Sequence, residues 1–490
     1  MRTAGSRLAP VLAAALLACG ETAGPGLASP RIDYVDGALA PILVRGQAVV
    51  IEGLGFGATQ GAGTVTFART GGGEVAAPVA APADWSDLAI RTAVPDAAAA
   101  GAGTLAVTTA AGRRLTATVH VLPHVVFDTA ALAWRSRGSF PQAPVGVALA
   151  ALEIPSGNGL ATTLYAAGGA EQASGALVPD SGVYLARAQP EGAVGAWVRQ
   201  RDATDFTSRV LPLPRAFAAA AIATRYNSRF PGAALYVIGG VGSAGRAQAS
   251  VLAADITADS VVARFTPLEQ LPAPLAGAIA VVRRGRIYVI GGTDSLGRPQ
   301  QDVFVGRIGL DGHIDGWYVQ PSLPAPRAYG GGVVLDARAV AFGGLADSVP
   351  PGGGLDPALP RLASSDTAAV SLLSGFFTGA WAPETALLPA GRSQFATLDL
   401  GDVILLVGGM YAGAETNSAE TIAAAVAGNS LGPFAGPVGT SRIADPPNNG
   451  GILVGPSGVT WREADGSRRG LVLGGIDLST GQRKAGVWGF

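Results

Sequence analysis

One motif constrains this chain more than any other: a short apolar strand ending in two glycines, repeated six times. It reads "TLYAAGG", "ALYVIGG", "RIYVIGG", "AVAFGG", "VILLVGG" and "LVLGG". The first glycines are Gly168, Gly239, Gly291, Gly343, Gly408 and Gly474, so successive spacings are 71, 52, 52, 65 and 66 residues. A period near fifty residues marks a supersecondary unit that cannot bury its apolar face alone and stacks on copies of itself. The longer intervals are insertions in loops of that unit.

Each unit contains more than its Gly-Gly strand. A third strand follows, as in "SGVYLARA" (Ser181 to Ala188) and "QDVFVGRI" (Gln301 to Ile308). An aromatic then opens a fourth: Trp197, Phe265, Trp317, Trp381 and Phe434. Leu-Pro and an arginine often come next, as in "LPLPR", "LPAPR" and "LPAGR", before an apolar strand begins the next unit. Four short strands that alternate inward and outward make one propeller blade. The glycines are expected to permit close packing of the inner strands and non-standard φ at the bend, and the aromatics are expected between adjacent blades. These features resemble the kelch/galactose-oxidase-like propellers over Val125 to Phe490, and the six repeated units imply six blades.

The sixth unit lacks its aromatic. In the other five the aromatic follows the first glycine by 29, 26, 26, 38 and 26 residues, which places the sixth near position 500 of a 490-residue sequence. The final run "QRKAGVWGF" aligns with third strands, so Trp488 does not fill the place. A spare aromatic stands upstream, Trp134 in "TAALAWRS" (Thr129 to Ser136), with no Gly-Gly strand before it. That segment is expected to add the missing outer strand, close the ring and remove a pair of exposed sheet edges.

Between Pro30 and Leu122 the pattern changes to alternating runs separated by Gly and Pro. They are "AVVIEG", "GTVTFA", "LAIRTAVP", "GTLAVTTA" and "LTATVHVL". Five or six such strands in about ninety residues read as a β-sandwich. "PRIDYVDG", "GQAVVIEGLGFG" and "WSDLAIRTAVP" resemble signatures of the IPT/TIG immunoglobulin-like family, which implies an accessory or spacer module. Gly53, Gly55 and Gly57 would let the chain turn tightly while Phe56 anchors in the core.

The first 18 residues, with Arg2 and Arg7 before an apolar run from Leu8 to Ala18, read as a secretory signal peptide too short to span a bilayer. "LLACG" resembles the lipobox of bacterial lipoproteins, which implies lipidation at Cys19, with residues 19–29 as a flexible tether. The domain expectation is therefore a signal peptide over 1–18, that tether, an IPT/TIG domain over 30–122 and a propeller over 125–490. The protein is expected to be exported and membrane-anchored, in the periplasm or at the cell surface.

Charged residues make up only 14% of the chain and the formal net charge is -1, or near -3 once Arg2 and Arg7 are removed. A nucleic-acid partner normally requires a basic surplus or patch, so none is expected. Cys19 is the sole cysteine, which excludes an internal disulfide framework and a thiolate metal cluster. It also leaves no propeller cysteine for the Cys-linked tyrosine of a copper-radical oxidase. His120, His124 and His313 have no metal-ligand spacing, and Walker, H-E-x-x-H and Asp-box patterns are missing. "GLGFGATQG" reads as a sandwich turn. No metal and no cofactor are expected.

One constellation remains. Arg215, Arg327, Arg392 and Arg442 occupy equivalent junctions between a fourth strand and the next first strand, with Leu275 and Val145 breaking the pattern. They read either as structural arginines bonded to neighbouring backbone or as a partial ring binding anions or peptides, with Tyr329, Phe217 and Phe395 adding apolar contacts. Two long Gly/Pro-rich stretches, Gly344 to Asp366 and Thr440 to Gly470, are candidate recognition loops. The functional expectation is a non-catalytic binding or scaffold lipoprotein with a protein or glycan ligand. The alternative is a carbohydrate-active enzyme, a lyase, hydrolase or sugar epimerase, working in the propeller channel.

Overall fold

The computed structural model describes residues 29–490 except 158, 174–175, 201–209, 228–229, 258, 310, 337, 349–367, 375–376, 385–386, 412–419, 440–442, 444–452 and 478–479. The expected signal peptide, Cys19, Arg442 and most of the 344–366 stretch lie outside the described residues.

The chain folds as an immunoglobulin-like β-sandwich followed by a kelch-like six-bladed β-propeller. The sandwich packs Arg31–Val35, Ala48–Leu54 and Ala89–Ala93 in one sheet. The second sheet runs Ile42–Val44, Arg114–Leu122, Gly101–Thr108, Thr64–Ala68 and Glu74–Ala77. Alternation along these strands places Val49, Ile51, Val65, Phe67, Ile90, Leu105, Val107, Val119 and Val121 in one core. Phe56 is fully buried there and the Trp85 indole donates to its carbonyl at 3.3 Å. Gly53 is required because a Cβ would lie 2.1 Å from the Arg31 carbonyl oxygen and 2.6 Å from the Phe56 ring.

Six four-stranded antiparallel sheets follow among the described residues. Their innermost strands are Ala148–Ser156, Ala219–Asn227, Ile279–Arg283, Gly331–Val334, Ala396–Asp399 and Ser457–Arg462. Each touches the next around the axis, and the sixth touches the first, so the ring closes. The last blade takes its outer strand from upstream: Arg135–Ser139 pairs with Gly486–Gly489, with Ser136 opposite Trp488 and Arg135 opposite Gly489. The Phe140 amide extends this ladder to the Ala485 carbonyl at 2.7 Å. The closing strand begins later than "TAALAWRS" implies, because the Asp128 carboxylate caps Thr129–Ala131 into a 3-10 turn. Strand pairing resumes only after Leu132 and Trp134 are buried.

Six apolar clusters fill the spaces between blades, and each holds one of the expected aromatics. Phe265, Trp317, Trp381, Phe434 and Trp197 pack against the preceding blade, and Trp134 does the same for blade six. Trp134 meets Phe490 edge-on at 5.1 Å and 81°. Tyrosines of the Gly-Gly strands add cross-blade bonds: the Tyr165 hydroxyl donates to the Ser260 carbonyl and Tyr236 to the Gly312 carbonyl, both at 2.8 Å.

The stretch Thr440 to Gly470 is not one long loop. Its second half forms the innermost hairpin of blade six, Ser457–Arg462 with Arg468–Leu473. The alternation of "SGVTWR" buries Val459 and Trp461 on one face, as a period-2 strand should.

Candidate functional site

The antiparallel meander gives the propeller two unlike faces. One, the junction face, receives each Gly-Gly strand end and each fourth-to-first connection. The other, the hairpin face, carries the turns between first and second strands.

On the junction face all six Gly-Gly pairs adopt the same left-handed geometry, φ 60–72° for the first glycine and 91–105° for the second. The second glycine donates its N–H to the next blade. Gly169, Gly240, Gly292, Gly344, Gly409 and Gly475 donate to the carbonyls of Arg215, Leu275, Arg327, Arg392, Leu453 and Pro144, at 2.7 to 3.0 Å. The first glycine leaves no room for a side chain: a Cβ on Gly291 would lie 2.4 Å from the Arg327 oxygen. These six bonds explain the motif as the stitching between blades.

A second ring lies just inside the first. Gly146, Phe217, Gly277, Tyr329, Gln394 and Gly455 all have φ between 54° and 65°. Their backbones run in series, with Phe217 donating to Gly146, Gly277 to Phe217, Tyr329 to Gly277, Gln394 to Tyr329 and Gly455 to Gln394, at 2.8 to 2.9 Å. Glycine is needed at 146 and 277 because the Phe217 and Tyr329 rings lie over those positions, 2.2 and 2.5 Å from a would-be Cβ. The two rings meet edge-on at 5.6 Å and 83° and narrow this end of the channel to a recess of about 170 Å³.

Of the two readings open for Arg215, Arg327 and Arg392, this geometry matches the structural one and corrects the binding mouth. Their side chains turn inward and are 1%, 3% and 0% exposed. Arg215 donates to the Gly239 carbonyl at 2.8 Å and to Ser250, and Arg327 to the Gly343 carbonyl at 2.9 Å. Arg392 donates to the Glu420 carbonyl at 3.2 Å. Each guanidinium thus braces its own blade's strand ends, and burial pulls Arg215 and Arg327 down to about 10. In blade six the junction place belongs to Leu453 and in blade one to Pro144. Tyr329 reaches the mouth as a buried plug, with burial pushing its hydroxyl up to about 12. Phe395 stacks on Phe342 between blades four and five, at 6.3 Å and 12°, and Gln394 takes the ring place.

The hairpin face lies under the sandwich. Two tight turns with left-handed backbone meet there, Asp36–Gly37 (φ 49°, 80°) and Arg284–Gly285 (φ 46°, 69°). Arg284 donates to Asp36 of the sandwich and to Asp336 of blade four, both at 2.6 Å, with its own side chain 7% exposed. Burial alone would lower Arg284, but the two carboxylates hold it above the ordinary arginine range. Arg462 of blade six clasps Glu153 of blade one and reaches the Ile42 carbonyl of the sandwich at 3.1 Å. His124 of the connecting segment meets Asp402 at 2.9 Å.

Between the sandwich and this end of the channel lies a cavity of about 490 Å³. Its charged lining is Asp36, Glu153, Arg284, Asp399, Arg462 and Arg468. Asp399 accepts from the Gly401 amide at 2.8 Å, and the Arg468 head packs over Gly401. Burial, then Arg462, hold the Arg468 guanidinium below its usual range. The channel beyond, about 450 Å³, is walled largely by Ala, Val and Gly of the innermost strands, and Asp399 and Thr460 line both spaces. Sequence reasoning missed this region. The signal available was the charge alternation in "WREADGSRRG" and the carboxylate in "TLDLGD".

The histidines lie apart. His120 is 3% exposed in the sandwich, His124 faces Asp402, and His313 lies exposed beside Asp311. Among the described residues no three His, Cys, Asp or Glu side chains cluster to hold a metal ion.

No family model matches the chain. Among curated proteins it is similar to beta-scruin of Limulus polyphemus, 32% identical over 112 residues. That match spans 22% of this chain and 12% of the relative. Among solved structures, that of YjhT aligns with 71% of this chain and 95% of its own at 14% identity, with a TM-score of 0.45.

Proposed function

We propose that this is an exported, lipid-anchored binding or scaffold protein that meets a protein or glycan partner through the junction face of its propeller. The observation that carries the reading is the inequality of the two faces. The hairpin face is taken by the sandwich and its buried ion pairs. The junction face gathers the connections of every blade, and Val178, Leu213 and Leu296 stand there 44%, 53% and 59% exposed. Loops held on a rigid scaffold are where recognition surfaces are ordinarily built.

The channel wall favours binding over hydrolysis. Glycoside cleavage calls for two positioned carboxyl groups, and of the carboxylates lining the described channel and the cavity at its end, Asp36 and Glu153 are held by Arg284 and Arg462, which leaves Asp399. In this reading residues 1–18 direct export, Cys19 carries the lipid, residues 19–29 form the tether, and residues 30–122 are an IPT/TIG module that spaces and braces the propeller. Replacement of Cys19 by Ala should release the protein from the membrane fraction.

The test is a protein and glycan array probed with residues 20–490. The triple variant Val178→Ser, Leu213→Ser, Leu296→Ser should lose its array signals while melting like the parent. Leu88→Ser on the sandwich should keep them. Equal signals from parent and triple variant would defeat the proposal.

A further inference from the structure

The cavity between the sandwich and the propeller is lined by three carboxylates and three arginines, and the side chain of one of those arginines has no hydrogen-bonded partner among the described residues. Arg462 and Arg468 lie directly opposite each other across the innermost hairpin of blade six. Like charges in that register oppose strand pairing. Arg462 is neutralised by Glu153, and Arg284 on the far wall by Asp36 and Asp336. The Arg468 side chain makes no hydrogen bond or ion pair with a described residue, and packing over Gly401 holds its guanidinium at the wall. Asp399, Glu153 and Asp402 offset part of its charge from a distance, but a half-buried fork beside another arginine, with its N–H groups unmatched by an acceptor among the described residues, still costs solvation.

We propose that this cavity is a binding site for a small hydroxylated organic anion, carboxylate or phosphate ester, whose charged group docks on Arg468. The guanidinium fork matches the paired oxygens of either group. Asp399 and Thr460 then accept hydroxyl protons of the ligand body, because both line the same cavity and Asp399 uses one oxygen on the Gly401 amide. A volume of about 490 Å³ lies within the ordinary range for small-molecule sites. The site is separate from the junction face, so it stands or falls independently of the partner-binding reading.

The test is calorimetric titration of the exported chain with D-gluconate, glycerol 3-phosphate and neutral sorbitol at constant ionic strength. At least one of the two anions should bind saturably and raise Tm, and sorbitol should do neither. Which anion binds distinguishes the carboxylate from the phosphate source. Arg468→Gln should weaken that binding at least tenfold while leaving the ligand-free Tm unchanged or higher, since it removes the like-charge pair. Arg468→Lys, which keeps the charge and loses the fork, should fall between the two. No saturable anion binding by the parent, or equal affinity in parent and both variants, would overturn the proposal.

Discussion

The indole N–H of Trp134 donates to the Thr421 hydroxyl at 2.9 Å, across 287 residues of chain. This bond joins the segment just before the closing strand to the third strand of blade five. It puts the upstream tryptophan in the place that Phe434 or Trp381 holds between other blades.

Trp134→Ala should therefore open the seam between blades five and six. Removing a buried tryptophan costs about 3–5 kcal/mol, and Thr421→Val should cost about 1 kcal/mol through the lost hydrogen bond. Urea unfolding of both variants and of the double variant measures the coupling. The double variant should lose less than the sum of the singles.

Much of this architecture was legible in the sequence because it repeats. Six Gly-Gly strands and five aromatics fixed the blade count, and the unmatched Trp134 pointed to the closure. The arginine junctions left two readings open for a physical reason. Sequence position gives where the backbone of Arg215, Arg327 and Arg392 lies, but the side chains fold back onto carbonyls of their own blades. Phe395 is likewise one residue out of register with Phe217 and Tyr329, and so faces between blades. The sandwich-covered cavity was hidden because its walls come from blades one, two, three, five and six and from a turn of the other domain, none of them near each other in sequence.

Arg284→Ala should loosen the sandwich from the propeller. Breaking a buried pair strands the partner charges, here Asp36 and Asp336, at a cost of about 3–5 kcal/mol. Small-angle scattering should show a larger radius of gyration, and calorimetry should resolve a separate sandwich transition. A single unchanged transition would mean the ion pair does not hold the domains together.

His120 makes stability depend on pH. Burial, and then the Arg462 charge, lower its pKa in the folded chain, so the folded state favours the neutral ring. The unfolded chain takes up the proton first, near pH 6.5. Stability from the neutral ring is present above that value and is lost as pH falls through it towards the folded pKa. Melting curves between pH 8 and pH 5 should show Tm falling on the acid side. His120→Leu, with no proton to take up, should fall less steeply, and parallel curves would remove His120 as the source.

The closed ring is tested most directly by hydrogen exchange at the seam. In the parent protein, amides of residues 484–490 should exchange slowly, because Gly486–Gly489 is flanked by Arg468–Leu473 and Arg135–Ser139. Ser136→Pro with Gly138→Pro removes donors from the closing strand. Exchange of 484–490 should then accelerate severalfold, while that of Arg286–Ile290 in blade three stays slow. Equal exchange of 484–490 in the two proteins would contradict closure by the upstream strand.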